Sequence, residues 1–108
     1  MNKIIFSQLV DFIQEKWEPK ELAFVNDTAL RMVKLEGEYK WHTHQDEDEF
    51  FLVVKGHVFI DTEEGTVQLN EMEGTVVRKG LRHRSRSDAP AWVLLVEPIK
   101  TKTMGGEG

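Results

Sequence analysis

A chain of 108 residues is long enough for one hydrophobic core and too short for two. With 40% hydrophobic and 31% charged residues it fits a soluble globular domain, and no apolar run approaches the roughly 20 residues that span a bilayer. A net charge of -5 lacks the basic field that nucleic acid or an anionic membrane recruits, so neither is expected as a partner. Cysteine is absent, which excludes disulfides and thiolate chemistry and leaves any metal to nitrogen and oxygen ligands.

The N-terminal stretch MNKIIFSQLVDF has neither a continuous apolar run nor a small-residue cleavage site, so a cytoplasmic location is expected. In SQLVDFIQEKWEP, Ser7 is a candidate N-cap, Leu9, Val10, Phe12, Ile13 and Trp17 recur at helical spacing, and Pro19 stops the pattern. Residues 1–20 are therefore expected to form one amphipathic helical segment. Beyond them come short β-favouring runs: ELAFV, TALRMVKLE, YKWHTH, EFFLVVKG, HVFIDT, GTVQLN, TVVRKG, HRSRS and AWVLLVEP. Turn signals separate them at Asn26-Asp27, Gly37, Gly56, Glu64-Gly65 and Asp88-Ala89-Pro90. Many short strands without intervening helices predict an all-β antiparallel sandwich or barrel over residues 21–100. Residues 101–108, TKTMGGEG, are expected to be a flexible tail.

Strand period then places the polar residues. In KWHTHQDEDEF, His42 and His44 project to one face and Trp41 and Thr43 to the other. Four acids follow, Asp46, Glu47, Asp48 and Glu49, and the stretch reads either as a solvated acidic hairpin or as half of a metal site. Glu49 stands at the start of an apolar run, where a carboxylate can turn inward beside the histidines. In HRSRS, His83, Ser85 and Ser87 share one face and Arg82, Arg84 and Arg86 the opposite one, so an inward histidine implies outward, solvated or salt-bridged arginines. His57 is expected at the surface or in a cross-strand pair. Pocket walls are sought among Met32, Phe50, Leu52, Phe59 and Met72, residues that also suit an ordinary core, and polar pocket groups among Tyr39, Ser85 and Ser87.

At these residues the chain resembles the cupins. Residues 37–56, GEYKWHTHQDEDEFFLVVKG, are similar to the first cupin motif: glycine, a short spacer, His-x-His, three or four residues, glutamate, six residues, glycine. Residues 69–83, LNEMEGTVVRKGLRH, resemble the second motif, although Arg78 replaces its proline and Met72 its turn glycine. Met72 is expected to resist φ > 0 unless Gly74 takes over through a shifted bend. The resemblance covers roughly residues 30–97 and points toward small single-domain cupins of the mannose-6-phosphate isomerase-like group. It implies a double-stranded β-helix, a jelly-roll-like barrel, and a divalent transition metal (Mn, Fe, Co, Ni, Cu or Zn) held by His42, His44, Glu49 and His83. Three imidazoles and one carboxylate suit such ions better than Ca or Mg.

The function expected from that resemblance is a small metalloenzyme of dioxygenase or isomerase type acting on a small organic substrate. The alternative is a non-catalytic cupin that binds a sugar or an anion. A metal that merely pins the strands is the remaining possibility. Outward arginines and β-rich edges, AWVLLVEP among them, lead to the expectation of a homodimer.

Overall fold

In the computed structural model, which describes residues 1–104, helix α1 (Phe6–Phe12) precedes seven strands. These are β1 (Lys20–Val25), β2 (Thr28–Glu38), β3 (Glu49–Lys55), β4 (Val58–Thr62), β5 (Gly65–Leu69), β6 (Gly74–Val77) and β7 (His83–Pro98). All the strand pairings are antiparallel, along the path β1-β2-β7-β3-β6, with β4 pairing both β5 and β7. No helix among the described residues is long and apolar enough to cross a membrane.

Strand β7 joins the two halves of the barrel. Its first residues pair with β4, Thr62 opposite His83, and its later ones with β3, Phe50 opposite Val96, while β2 follows its other edge. HRSRS and AWVLLVEP are thus one strand rather than two. The turn signal at residues 88–90 is a bulge: between the pairs Leu35/Ala91 and Gly37/Ser87, one residue of β2 faces three of β7. A bulge tolerates Pro90, which has no N–H to give a ladder. AWVLLVEP, expected as an edge, is paired on both sides.

Period-2 burial separates two apolar clusters. Inward residues Val33, Leu35, Phe51, Val53, Val58, Ile60, Ala91, Val93 and Leu95 fill the barrel. Outside it, Val10 and Ile13 cover Met32, flanked by Leu22, Val54 and Trp92. Ile13 is 2% exposed, so truncating it to Ala would cost about 2–5 kcal/mol.

The helix is shorter than the 1–20 segment. Ile5, not Ser7, is its N-cap, with no side-chain cap, and the chain turns extended at Ile13. There the Ile13 carbonyl accepts the Trp92 indole N–H at 2.9 Å, and the Trp17 N–H donates to Lys34 O at 2.8 Å. Tertiary anchoring thus overrides the helical spacing of Ile13 and Trp17. Trp17 takes φ 61 and stacks on Tyr39. The expected loose tail is not seen over residues 101–104, where Thr101 is buried and Arg31 and Tyr39 bond the chain; residues 105–108 lie outside the described residues.

Candidate metal centre

The segment YKWHTH is not a ladder strand. It meets β7 in one two-bond bridge, His42 N to His83 O and His83 N to His42 O, each 2.9 Å, and in a single further bond, Tyr39 N to Ser85 O, 3.0 Å. That bridge is enough to keep the alternation. His42 and His44 are buried, while Trp41 lies outside between the guanidinium groups of Arg82 and Arg84, 5.1 and 5.2 Å from its ring centre. Glu49 opens β3 on the same inward face as Phe51 and Val53.

His83 reaches the site through a turn. Leu81 N donates to Arg78 O at 3.2 Å and Gly80 takes φ 82, the third-position requirement of a type II turn. The turn is tied to the first motif by Gly80 N to His44 O, 2.8 Å, and Lys79 N to Asp48 Oδ1, 2.9 Å. These bonds hold the bend that Arg78 does not restrain. At the other departure Met72 itself adopts φ 64, contrary to expectation, at a cost of about 1–2 kcal/mol. Gly74 instead lies in β6, where an added Cβ would stand 2.5 Å from Phe51 O.

Three imidazoles converge here. Candidate ligand nitrogens of His42, His44 and His83 all lie within 4.8 Å of one another, and the His42 and His83 ring centres are 4.4 Å apart. Glu49 Oε2 is 3.8 Å from His44 Nε2, and Oε1 is 4.0 Å from His83 Nε2. The Nδ1 of His42 and of His83 stand 3.0 and 2.9 Å from the carbonyls of Lys40 and Leu81. A carbonyl can only accept, so Nδ1 carries the proton and Nε2 keeps its lone pair. His44 Nε2, His83 Nε2 and Glu49 Oε2 are buried without a hydrogen-bond partner.

Burial keeps the imidazoles neutral: it holds His42 and His44 below the ordinary histidine range and lowers His83 to about 4. Glu49 is pushed up to about 10, first by burial and then by its neighbour Glu97. Such a donor set suits a cation, which would satisfy the unpartnered atoms and return the carboxylate to its charged form.

Of the four acids, only Glu49 is at the cluster. Asp46 is exposed, Glu47 half-buried, and Asp48 binds the Lys79 amide. Two charged residues missed in the sequence stand behind it: Glu97, 1% exposed, accepts Arg31 Nη1 at 2.9 Å. Both lie at inward parity within apolar strands, Arg31 with Val33 and Glu97 with Leu95, and that was the available signal. His57, as expected, is exposed, its Nδ1 3.0 Å from Asn70 Oδ1.

Beside the cluster lies a cavity of about 20 Å³, room for one water. Val33, Leu35, Phe51, Leu95 and Ser85 form its strand walls; Tyr39, Thr103 and Met104 complete it with His42 and Glu49. None of the five expected wall residues borders it. Met32 is under α1, Phe59 faces Arg86, and Leu52 and Met72 border a separate groove beside α1. Phe50 has the parity opposite to Glu49 and Phe51.

Comparison with known proteins agrees with this architecture. A family model described as a cupin domain matches residues 29–97. An uncharacterised protein of Bacillus subtilis, YdbB, is 34% identical over 93 residues, 85% of this chain and 82% of that protein. Among solved structures, a cupin-2 domain containing protein from Shewanella frigidimarina superposes with TM-score 0.85 at 32% identity, covering 88% of this chain and 93% of the other. Protein NMB1881 from Neisseria meningitidis superposes with TM-score 0.82 at 32% identity, covering 90% and 99%. The mannose-6-phosphate isomerase-like label finds no separate support in these matches. With an antiparallel barrel, a buried histidine cluster and these relatives, the chain belongs to the cupin family.

Proposed function

We propose that His42, His44, Glu49 and His83 hold one divalent transition-metal ion and that the protein is a metalloenzyme acting on a small organic substrate, of dioxygenase or isomerase type. The observation carrying this reading is the meeting of three buried polar atoms without partners, His44 Nε2, His83 Nε2 and Glu49 Oε2. Leaving such atoms unpaired costs about 1–3 kcal/mol each, an expense a bound cation offsets. His42 and His83 enter as oriented donors because the Lys40 and Leu81 carbonyls hold their Nδ1 protons. Glu49 supplies the negative charge, and Mn, Fe, Co, Ni, Cu and Zn all suit the set. Once bound, such an ion supplies Lewis acidity and lowers the pKa of water. Tyr39 and Ser85 are the hydroxyl groups of the cavity wall that stand nearest in role to a substrate anchor.

A second reading, a non-catalytic cupin that binds a sugar or an anion, is favoured by the short list of polar groups around the cavity. Elemental analysis of protein purified without added metal, followed by turnover assays on the loaded form, decides between them. A stoichiometric redox-active ion with turnover supports the enzyme; a metal-free barrel whose melting temperature ignores added Mn, Fe, Co, Ni, Cu and Zn supports the binding module.

The reading includes a cytoplasmic homodimer. Support for the dimer is the free edge of β1, where Phe24 and Val25 are more than half exposed. A monomer in sedimentation at micromolar concentration would remove the dimer.

A further inference from the structure

His42 and Glu49 of the cluster border a cavity with room for one water, too small for any organic ligand. Strands and the cluster form most of its wall; the exceptions are Tyr39, Thr103 and Met104. We propose that residues 99–104 are a strap over this cavity, and that the Met104 carbonyl occupies the place of a ligand's carbonyl or carboxylate oxygen on the Tyr39 hydroxyl. The proposal rests on the reading of the cluster as the reacting centre.

The strap is fastened unequally along its length. Its base is bonded through the backbone, Ile99 N to Asp27 O and Thr101 N to Pro98 O, both 2.9 Å, and by Arg31 to the carbonyls of Ile99 and Thr101 at 2.7 and 3.0 Å. Its tip hangs on side-chain bonds alone among the described residues. Arg31 Nη1 donates to Thr103 Oγ1 at 3.0 Å, Thr103 Oγ1 donates to Glu97, and Tyr39 Oη donates to Met104 O at 2.6 Å. No strap residue belongs to either apolar cluster. One buried polar atom of the strap, Thr101 Oγ1, also lacks a partner, so closure leaves a polar group unpaired. A segment with few apolar contacts and a few polar latches opens locally without the barrel.

Tyr39 is built to stay in place when the strap leaves. Its ring stacks on Trp17 at 5.0 Å and meets His42 edge-on at 5.4 Å, contacts that do not involve the strap. Opening therefore presents a fixed O–H donor beside His42, and an acceptor that takes the place of Met104 O keeps the bond as it stands. A small ligand with a carbonyl or carboxylate oxygen, reaching the cluster with its other end, meets that requirement.

Tyr39 is the chain's only tyrosine, so 3-fluorotyrosine gives the full-length protein a single 19F resonance, free of metal. Thr103→Val removes both bonds of the strap tip to Arg31 and Glu97. We expect it to raise an open-state resonance about ten-fold, the equivalent of about 1.4 kcal/mol. Pyruvate at millimolar concentration should shift that resonance. In parallel, diethyl pyrocarbonate should modify His42, the histidine that borders the cavity, about ten-fold faster in Thr103→Val and in unlabelled Tyr39→Phe, with exposed His57 unchanged as the reference. Unchanged rates overturn the strap, as does faster amide exchange throughout β2 and β7, which would make residues 99–104 part of the fold. A resonance indifferent to pyruvate overturns the ligand assignment. Because these readings use metal-free protein, failure to bind metal would sink the proposed function separately.

Discussion

The two faces of β7 at its start present opposite solutions to the placement of polar groups. Inside, His83 meets His42, His44 and Glu49, and three of their polar atoms have no partner. Outside, one register step away, Asp61 receives Arg84 Nε at 2.9 Å, Arg86 Nε at 2.8 Å and Thr66 Oγ1 at 2.7 Å, while Arg84 also reaches Glu38 at 3.1 Å. The arginines hold the Asp61 carboxyl well below the usual range, whereas burial raises Glu49 far above it. Charges that satisfy one another serve the fold. Buried donors without a partner in the chain are what the proposed ion would satisfy.

Exchanging the two faces by mutation sharpens the contrast. His83→Ala should lower the affinity for added Co2+ at least about a hundred-fold in calorimetric titration, while Arg84→Ala, the next residue along, should leave it within about two-fold. Equal losses would erase the distinction between inner and outer polar residues. Glu49→Gln should weaken binding by about ten- to a hundred-fold, and Glu47→Gln should not, since only the first carboxylate stands at the cluster.

Asp61→Ala should act on the fold and spare the site. It leaves Arg86 without its carboxylate and Arg84 with Glu38 alone on a partly solvated surface, so a loss of about 1 kcal/mol is expected, a few degrees in Tm, with metal affinity unchanged. The pH response of metal-free protein should separate the faces again. Histidines whose folded pKa is lowered bind fewer protons folded than unfolded, so their contribution is present above about 6.5 and is lost as pH falls toward 4. Glu49 has the opposite sign: its contribution is present below about 4.3 and is lost as pH rises toward 10. Together they place the stability maximum near pH 6–7, whereas Asp61 adds a loss only below about 4. Thermal melts across pH 3–10 would show it, and a flat profile from 4 to 9 would contradict the neutral cluster.

Local period carried much of this into the sequence. Alternation put His42 and His44 together and His83 opposite the arginines, and the first motif's spacing singled out Glu49. What needed tertiary knowledge went astray. The helical spacing of Ile13 and Trp17 gave no sign that the indole of Trp92, 79 residues away, would draw the Ile13 carbonyl out of the helix. The bulge at residues 88–90 looked like a turn because Asp-Ala-Pro serves both. Phe50 and Leu52 were put on the pocket although Glu49 fixes the parity on Phe51 and Val53, an error that the same period rule would have prevented. Arg31 and Glu97 could be flagged as inward charges, but their pairing depends on β2 lying beside β7, which no local pattern states.

The central claim is that one ion is held by three imidazoles and one carboxylate. X-ray absorption at the cobalt edge, on protein loaded with one equivalent of Co2+, tests it most directly. The account predicts three imidazole nitrogens and an oxygen ligand in the wild type, falling to two imidazoles in His83→Ala. A spectrum with at most one imidazole, or one unaltered by His83→Ala, would contradict it.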